Sequence, residues 1–125
     1  MKKNPIRQVC DLEVYNLSYS LAQEIFELSK KFPKEEVYSL TNQIRRSSRS
    51  VSANISEGFG KRKNGNTFKQ YLYCSIGSVD ETKTWIDFAR DFKFIPQDTA
   101  EKLKIDYTRT GAMLYRLIQN WHSIP

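Results

Sequence analysis

Residues 43–62 read QIRRSSRSVSANISEGFGKR, and the interpretation of the whole chain depends on this stretch. Ile44, Val51 and Ile55 recur at helical spacing, which predicts a helix with one apolar face. The remaining positions are unusual for a helix, because the stretch holds five serines and three arginines before its glycines. Such a helix depends on tertiary packing for its stability. The composition is therefore compatible with a packing surface, a nucleic-acid surface or an active site.

The two faces of this helix carry mostly small side chains. The predicted core face consists of Leu40, Ile44, Ser47, Ser48, Val51, Asn54, Ile55 and Gly58. The opposite face consists of Arg46, Arg49, Ser50, Ala53, Ser56, Glu57 and Gly60. A solvated face usually carries long charged residues, whereas small residues let neighbouring backbones approach closely. The small residues on both faces predict contacts between subunits, so we expect a homo-oligomer. The alternative is that the small residues serve only close packing within one subunit.

Four helical segments account for nearly the whole chain, and no strand pattern competes with them. Apolar periodicity predicts helices over about 12–32, 37–60, 67–91 and 98–123, within a single domain of residues 1–125. Short connections favour antiparallel neighbours, so we expect an all-α, antiparallel up-down-up-down four-helix bundle. Cys74 is expected to pack in the core as part of the third helix.

The first helix carries two apolar stripes. One is a narrow seam that runs from Val14 to Phe32. The second stripe consists of Tyr15, Tyr19, Ala22 and Phe26. At 100° per residue the two stripes lie about 120° apart, so the second stripe either needs another neighbour or widens the core face. The aromatic residues on such stripes are expected to be core residues rather than platforms for stacking bases.

The positive charge of the chain is concentrated in one segment. The net charge is +6, and residues 43–69 alone hold seven basic residues against a single acid, Glu57. The rest of the chain has equal numbers of basic and acidic residues. A localised excess of this kind is typical of an anion-binding surface, although a solvated basic loop has the same composition. The candidate phosphate contacts are Arg45, Arg46, Arg49, Lys61, Arg62, Lys63 and Lys69.

Catalytic and metal-binding patterns are missing from the sequence. The only histidine, His122, has no Glu-x-x-His partner and stands far from the serines, so neither a di-metal site nor a Ser-His-Asp triad is expected. The GFGKR sequence at residues 58–62 lacks the spacing of a Walker loop. We expect no metal, no cofactor and no enzyme activity. Asn54, Glu57 and Glu81 are expected to make structural polar contacts, Glu57 with the third helix or with another subunit.

Targeting signals are also missing. No apolar run approaches the roughly 20 residues of a membrane span, and the basic N-terminus has no apolar signal-peptide core. The two cysteines, Cys10 and Cys74, form no disulfide framework. We therefore expect a cytoplasmic protein with no membrane partner.

Two segments together resemble a known protein family. FPKEEVYSLTNQIRRSSRSVSANISEGFGKR at residues 32–62, followed by FKQYLYCSIGSVDE at residues 68–81, resembles the 23S rRNA intervening-sequence (S23-type) proteins, which are four-helix bundles. Residues on the family pattern are Gln43, Arg45, Arg46, Ser50, Asn54, Ile55, Glu57, Gly58, Gly77, Ser78 and Glu81. Ser47 and Ser48 stand where alanines are common in the family, which softens the helix slightly.

The resemblance implies a ring-like homopentamer with a central channel. The chain is also distantly similar to the accessory variability determinant of diversity-generating retroelements, a basic pentamer that binds nucleic acid and a reverse transcriptase. By that analogy the basic residues would contact phosphates of RNA or DNA, largely independently of sequence. The alternative is a structural or scaffolding oligomer, or a protein–protein adaptor, whose arginines bind carboxylates of neighbouring subunits.

Overall fold

Four helices build the protein, and the computed structural model describes residues 5–122 of the chain. The helices are α1 (Glu13–Ser29), α2 (Leu40–Gly60), α3 (Gly65–Asp91) and α4 (Gln97–Asn120), with short 3₁₀ turns at Val9–Asp11 and Lys34–Glu36. No strand occurs between residues 5 and 122. The prediction of an all-α four-helix fold is confirmed.

Consecutive helices run antiparallel. Between α2 and α3, Ser47 near the start of α2 contacts Thr82, whereas Lys61 after its end contacts Tyr71. As residue numbers rise along α2, the numbers of their contact partners on α3 fall. The same reversal holds between α3 and α4 for the pairs Asp87–Lys104 and Tyr73–Tyr115. Because α1 also packs against both α2 and α4, the four helices enclose one core.

The core combines large apolar side chains with small polar ones. The largest fully buried side chains are Tyr107, Phe68, Ile25, Ile44, Ile55, Leu72, Ile86, Leu103 and Leu114. Hydrogen bonds between α2 and α3 satisfy some of the buried hydroxyl groups. Ser75 Oγ donates to the carbonyl of Val51 at 2.9 Å, and Thr82 Oγ1 donates to Ser47 Oγ at 2.9 Å. These bonds satisfy groups that would otherwise be costly to bury, and they hold α2 and α3 close together.

The connection between α1 and α2 is longer than predicted. α1 ends at Ser29 rather than near Phe32, because the next residues tighten into i to i+3 turns before Pro33. α2 begins at Leu40 rather than near residue 37. The Glu36 carboxylate accepts hydrogen bonds from Ser39 Oγ at 2.6 Å and from the Leu40 amide at 3.2 Å, so it serves the first turn of α2.

The other helix ends lie closer to their predicted positions. α3 begins at Gly65, slightly before the predicted start, because the Asn64 side chain accepts from the amides of Asn66 and Thr67. α4 begins at Gln97 and ends at Asn120. Residue 123, the predicted end of the fourth helix, lies outside the described residues.

The prediction that Cys74 packs in the core is wrong, because Cys74 is exposed. The fully buried Leu72 stands two residues earlier on α3. At 100° per residue, Cys74 is therefore rotated by about 200° from Leu72 and points away from the core. The apolar face assigned to this helix from sequence was too wide.

The Tyr107 hydroxyl is buried in the core without a hydrogen-bond partner among the described residues. Burial raises the pKa of Tyr107 well above its ordinary value, so the hydroxyl stays neutral. Because an unsatisfied buried group costs about 1–3 kcal/mol, Tyr107→Phe is expected to raise the free energy of unfolding by about 1 kcal/mol. Urea unfolding measures the change. Tyr115→Phe, at an exposed position, should leave stability unchanged.

Lys93 lies in the left-handed region, with φ of 64°, directly after α3. The Phe94 amide donates back to the carbonyl of Ala89 at 2.8 Å, as expected for a Schellman motif that ends a helix. Glycine adopts this conformation without the steric cost that a Cβ imposes. Lys93→Gly is therefore expected to raise the free energy of unfolding by about 1 kcal/mol, and with it the melting temperature. Lys83→Gly, inside α3, should have the opposite effect. A lower melting temperature for Lys93→Gly would contradict this assignment.

Candidate nucleic-acid interface

The seven predicted basic residues do not form one patch. Arg45, Arg46 and Arg49 lie on the first half of α2, whereas the other four lie around the turn between α2 and α3. A helix rises about 1.5 Å per residue, so Arg45 and Lys61 stand about 24 Å apart along α2. We call the first group the Phe26 cluster and the second group, Lys61, Arg62, Lys63 and Lys69, the turn cluster.

Two members of the Phe26 cluster, Arg45 and Arg49, contact one aromatic ring of α1. The guanidinium carbons of Arg45 and Arg49 lie 4.7 and 5.6 Å from the centre of the Phe26 ring. Arg45 is half-buried, and its Nε donates to Ser29 Oγ at 2.7 Å. Arg45 therefore has a structural role as well as a charge, because its contacts join α1 to α2. Arg46 is exposed on the outer surface of α2.

Lys30 also belongs to the Phe26 cluster and was missed from the sequence. Its Nζ lies 5.0 Å from the centre of the Phe26 ring. The available signal was spacing, since Lys30 follows Phe26 by four residues and such pairs meet on a helix surface. Lys30 also pairs with Glu27 at 3.2 Å, so part of its charge is already neutralised.

The turn cluster is held in place by aromatic contacts. The guanidinium carbon of Arg62 lies 3.9 Å from the centre of the Phe59 ring, and its Nη1 donates to the Phe59 carbonyl at 3.0 Å. Lys61 Nζ donates to the Tyr71 hydroxyl at 2.9 Å. That hydrogen bond raises the pKa of Lys61. Lys63 is exposed, and Lys69 is half-buried on the first turns of α3.

The seven predicted residues share an electrostatic property. Each lacks a carboxylate within 4 Å in the described part of the chain. The ion pairs between residues 5 and 122 instead use Lys30, Arg90, Lys102, Lys104 and Arg109. The charge excess seen in the sequence thus remains uncompensated in the folded subunit, and its field extends into solvent.

The three predicted structural polar residues have different surroundings. Asn54 is half-buried, and its Nδ2 donates to the carbonyl and hydroxyl oxygens of Ser50, both at 2.9 Å. Glu81 is exposed and accepts from Trp85 Nε1 at 3.0 Å. Glu57 is exposed and has no hydrogen bond to any described residue. A contact of Glu57 with another subunit stays a prediction.

The second apolar stripe of α1 lines an open groove of about 800 Å³ between α1 and α2. This α1–α2 groove is lined by Tyr15, Tyr19, Ala22, Gln23, Phe26 and Glu27 on α1 and by Arg49, Ser52, Ala53 and Ser56 on α2. The stripe therefore does not simply widen the core face. Tyr19 is 51% exposed, so the prediction that aromatics on apolar stripes lie in the core fails here.

Metal-ligating side chains are not clustered within residues 5–122. His122 is exposed beyond the end of α4. Residues 5–122 contain no group of three or more histidine, cysteine or acidic side chains that could hold a metal ion. In the same range, none of the helices has the length and apolar character needed to cross a membrane.

Comparison with known proteins identifies the family. The sequence profile of the 23S rRNA-intervening sequence protein family matches residues 10–116. The chain belongs to this family. The resemblance carried by residues 32–62 and 68–81 is therefore confirmed, and the matched range includes all seven basic residues and all four helices except the end of α4.

A solved structure shares the fold. It is a crystal structure of a protein of unknown function from the S23 ribosomal protein family of Bacteroides thetaiotaomicron. The two chains are 24% identical and superpose with a TM-score of 0.77 over 86% of this chain and 99% of the other. No curated protein matches the sequence. At this identity the likeness supports the four-helix fold alone.

Proposed function

We propose that this S23-type protein is a non-enzymatic, oligomeric protein that binds RNA or DNA through its basic surface, largely independently of sequence. The observation that carries the proposal is that residues 43–69 hold seven basic residues, none within 4 Å of a described carboxylate, against a single acid, whereas the rest of the chain has equal numbers of basic and acidic residues. Unpaired cations release the counterions of a phosphate backbone on binding, which favours association.

The separation of the two clusters suits a polymer better than a small anion. A single phosphate would contact one cluster, whereas the clusters stand about 24 Å apart along α2. Along one strand of a duplex, with about 3.4 Å between phosphates, this distance spans roughly seven phosphates. A nucleic acid laid along α2 would therefore reach both the Phe26 cluster and the turn cluster.

A salt series tests this function. We expect labelled RNA and duplex DNA to bind, with affinity falling steeply as salt is raised. If each of the seven cations neutralises one phosphate of a duplex, the slope of log K against log salt should be about −6. Absence of binding at about 50 mM salt, by protein of correct fold and assembly, would overturn the proposal.

The remaining features of the proposal are its assembly and its location. The subunits form a homo-oligomer, a ring-like pentamer by family resemblance, and they work in the cytoplasm, where the exposed thiols of Cys10 and Cys74 stay reduced. A reverse transcriptase partner is supported only by the distant analogy with retroelement accessory proteins. Co-purification with such an enzyme is the measurement that would establish it.

The second candidate function is a scaffolding oligomer or protein–protein adaptor without a nucleic-acid role. The α1–α2 groove favours it, because an open apolar surface of this kind on one subunit is typical of a protein interface. Under this alternative the arginines would bind carboxylates of neighbouring subunits. An assembled protein that binds neither RNA nor DNA across the salt series would support the scaffold.

A further inference from the structure

A row of aromatic side chains projects from the outer side of α3. Trp85, Phe88 and Phe92, which we call the aromatic ridge, follow each other with ring centres 5.8 and 5.7 Å apart. Phe88 is 43% and Phe92 53% exposed, so two large apolar rings face solvent. The ridge and the α1–α2 groove are thus two apolar surfaces on one subunit, and the four-helix core buries neither of them completely.

The ridge and the α2 side of the groove carry side chains of opposite size, large on the ridge and small in the groove. The α2 side of the groove is formed largely by small residues, including Ser52, Ala53 and Ser56, which leave room for bulky side chains. The ridge consists of three large aromatic side chains, two on α3 and Phe92 directly after its end. Two helical surfaces pack closely when large rings of one surface enter a groove lined by small residues on the other.

The two surfaces are also complementary in charge. Arg49 lines the groove and has no carboxylate within 4 Å among the described residues. The carboxylate of Glu81 lies beside the ridge, where it accepts from Trp85 Nε1, and it has no cation within 4 Å in residues 5–122. The acid of the groove, Glu27, already pairs with Lys30. Each surface therefore presents one unpaired charge of opposite sign.

From this complementarity we infer that the aromatic ridge of one copy of the chain inserts into the α1–α2 groove of the next copy, head to tail, with Glu81 facing Arg49. The inference deepens the homo-oligomer proposed above by naming its two contacting surfaces. It does not depend on nucleic-acid binding, but it removes Arg49 from the phosphate contacts, so the other six cations would give a salt slope of about −5. Because the contact joins two different surfaces, each copy leaves a free groove at one end and a free ridge at the other until a ring closes.

The position of α2 determines what such an assembly encloses. Polar contacts place α3 on one side of α2, whereas Arg45 and Arg49 contact α1 on the other. The groove and the ridge therefore lie on adjacent sides of the bundle that meet at α2. Successive copies turn in the same direction, and the exposed α2 residues between the two surfaces, Arg46 and Glu57, face the inside. The contact predicted for Glu57 would then come from a neighbouring copy.

A mixing experiment tests the head-to-tail contact. Ala53→Arg blocks the groove of a subunit and leaves its ridge intact. Phe88→Lys replaces an apolar ring of the ridge by a charge and leaves the groove intact. We expect the unsubstituted chain to show several times its subunit mass of 14.7 kDa by light scattering after size exclusion. Each variant alone should show the mass of one subunit, and an equimolar mixture should form dimers through the one intact contact.

The controls separate the contact from folding and from nucleic-acid binding. Far-UV circular dichroism establishes that each variant is helical, and nuclease-treated protein excludes assembly on nucleic acid. Ile105→Lys alters an exposed apolar residue of α4 outside both surfaces, so it should keep the full mass. Arg49→Glu and Glu81→Arg should each reduce assembly, and the double variant should restore it.

Three outcomes would overturn the inference. They are an unsubstituted chain with the mass of one subunit, an assembly unaffected by Phe88→Lys, and folded single-subunit variants whose mixture stays at one subunit mass. The second outcome would point to a symmetric groove-to-groove contact instead.

Discussion

Gly58→Ala is expected to lower the free energy of unfolding by about 2 kcal/mol, although alanine is a better helix former than glycine. A Cβ built on Gly58 would lie 2.5 Å from the Cβ of Tyr71, and this distance cannot be relieved by rotating a flexible side chain. α2 and α3 would have to separate at this level. Separation would also weaken the hydrogen bond between Ser75 and the carbonyl of Val51. Urea unfolding at fixed protein concentration measures the loss.

Gly77→Ala is the matched control for this substitution. Gly77 also lies inside a helix, but a Cβ built there has no neighbour within 4 Å. The same change should therefore stabilise the protein by up to about 1 kcal/mol through helix propensity alone. Opposite signs for the two variants would establish that close approach, rather than glycine content, constrains Gly58. Equal effects would rule out the close approach as the cause.

Replacement of Lys61, Arg62 and Lys63 by alanine is expected to weaken nucleic-acid binding by about 100-fold near physiological salt. These side chains form most of the turn cluster, and no carboxylate of residues 5–122 lies within 4 Å of them. Loss of three phosphate contacts should also reduce the salt slope by about 3. Fluorescence anisotropy with labelled RNA and duplex DNA, across a salt series, measures both quantities.

The control for this variant removes the same charge from a different place. Lys102, Arg109 and Arg116 are exposed on α4, so their replacement by alanine tests for a general effect of net charge. Similar losses of nucleic-acid affinity in both triple variants would indicate a diffuse attraction by net charge and would argue against a binding site at the turn. Since Arg62 also stacks on Phe59, the Lys61→Ala, Lys63→Ala double variant separates lost charge from lost packing. It should retain the native melting temperature and still bind more weakly.

The periodicity of the sequence was sufficient to predict the four helices, but less reliable for which residues they bury. Helical spacing placed Ile44, Val51 and Ile55 on one face, and all three are buried. The same method failed for Cys74, because the apolar face assigned to α3 was too wide and included an exposed position. The burial of polar Ser75 and Thr82 depends on hydrogen bonds to α2, which are tertiary contacts without a local pattern.

The candidate site was predicted in part. Composition placed the charge excess in residues 43–69, and no described carboxylate neutralises its seven cations. Lys30 was missed because, although its spacing from Phe26 is local, the approach of Phe26 to Arg45 and Arg49 of α2 is a tertiary contact. The aromatic ridge was missed because Phe88 and Phe92 follow the core seam of α3 closely in sequence, so their outward direction was not evident.

For the stretch at residues 43–62, the sequence by itself determined a helix, its small side chains, its positive charge and its family, since all four are properties of residue type and order. Only the tertiary structure decided what those residues meet. Ser47 and Ser50 bond to α3, and Arg45 and Arg49 stack on one ring of α1. Lys61 and Arg62 lie at the far end of the helix. The reason is that a straight helix separates charges that the sequence brings together, while packing joins side chains from distant parts of the chain.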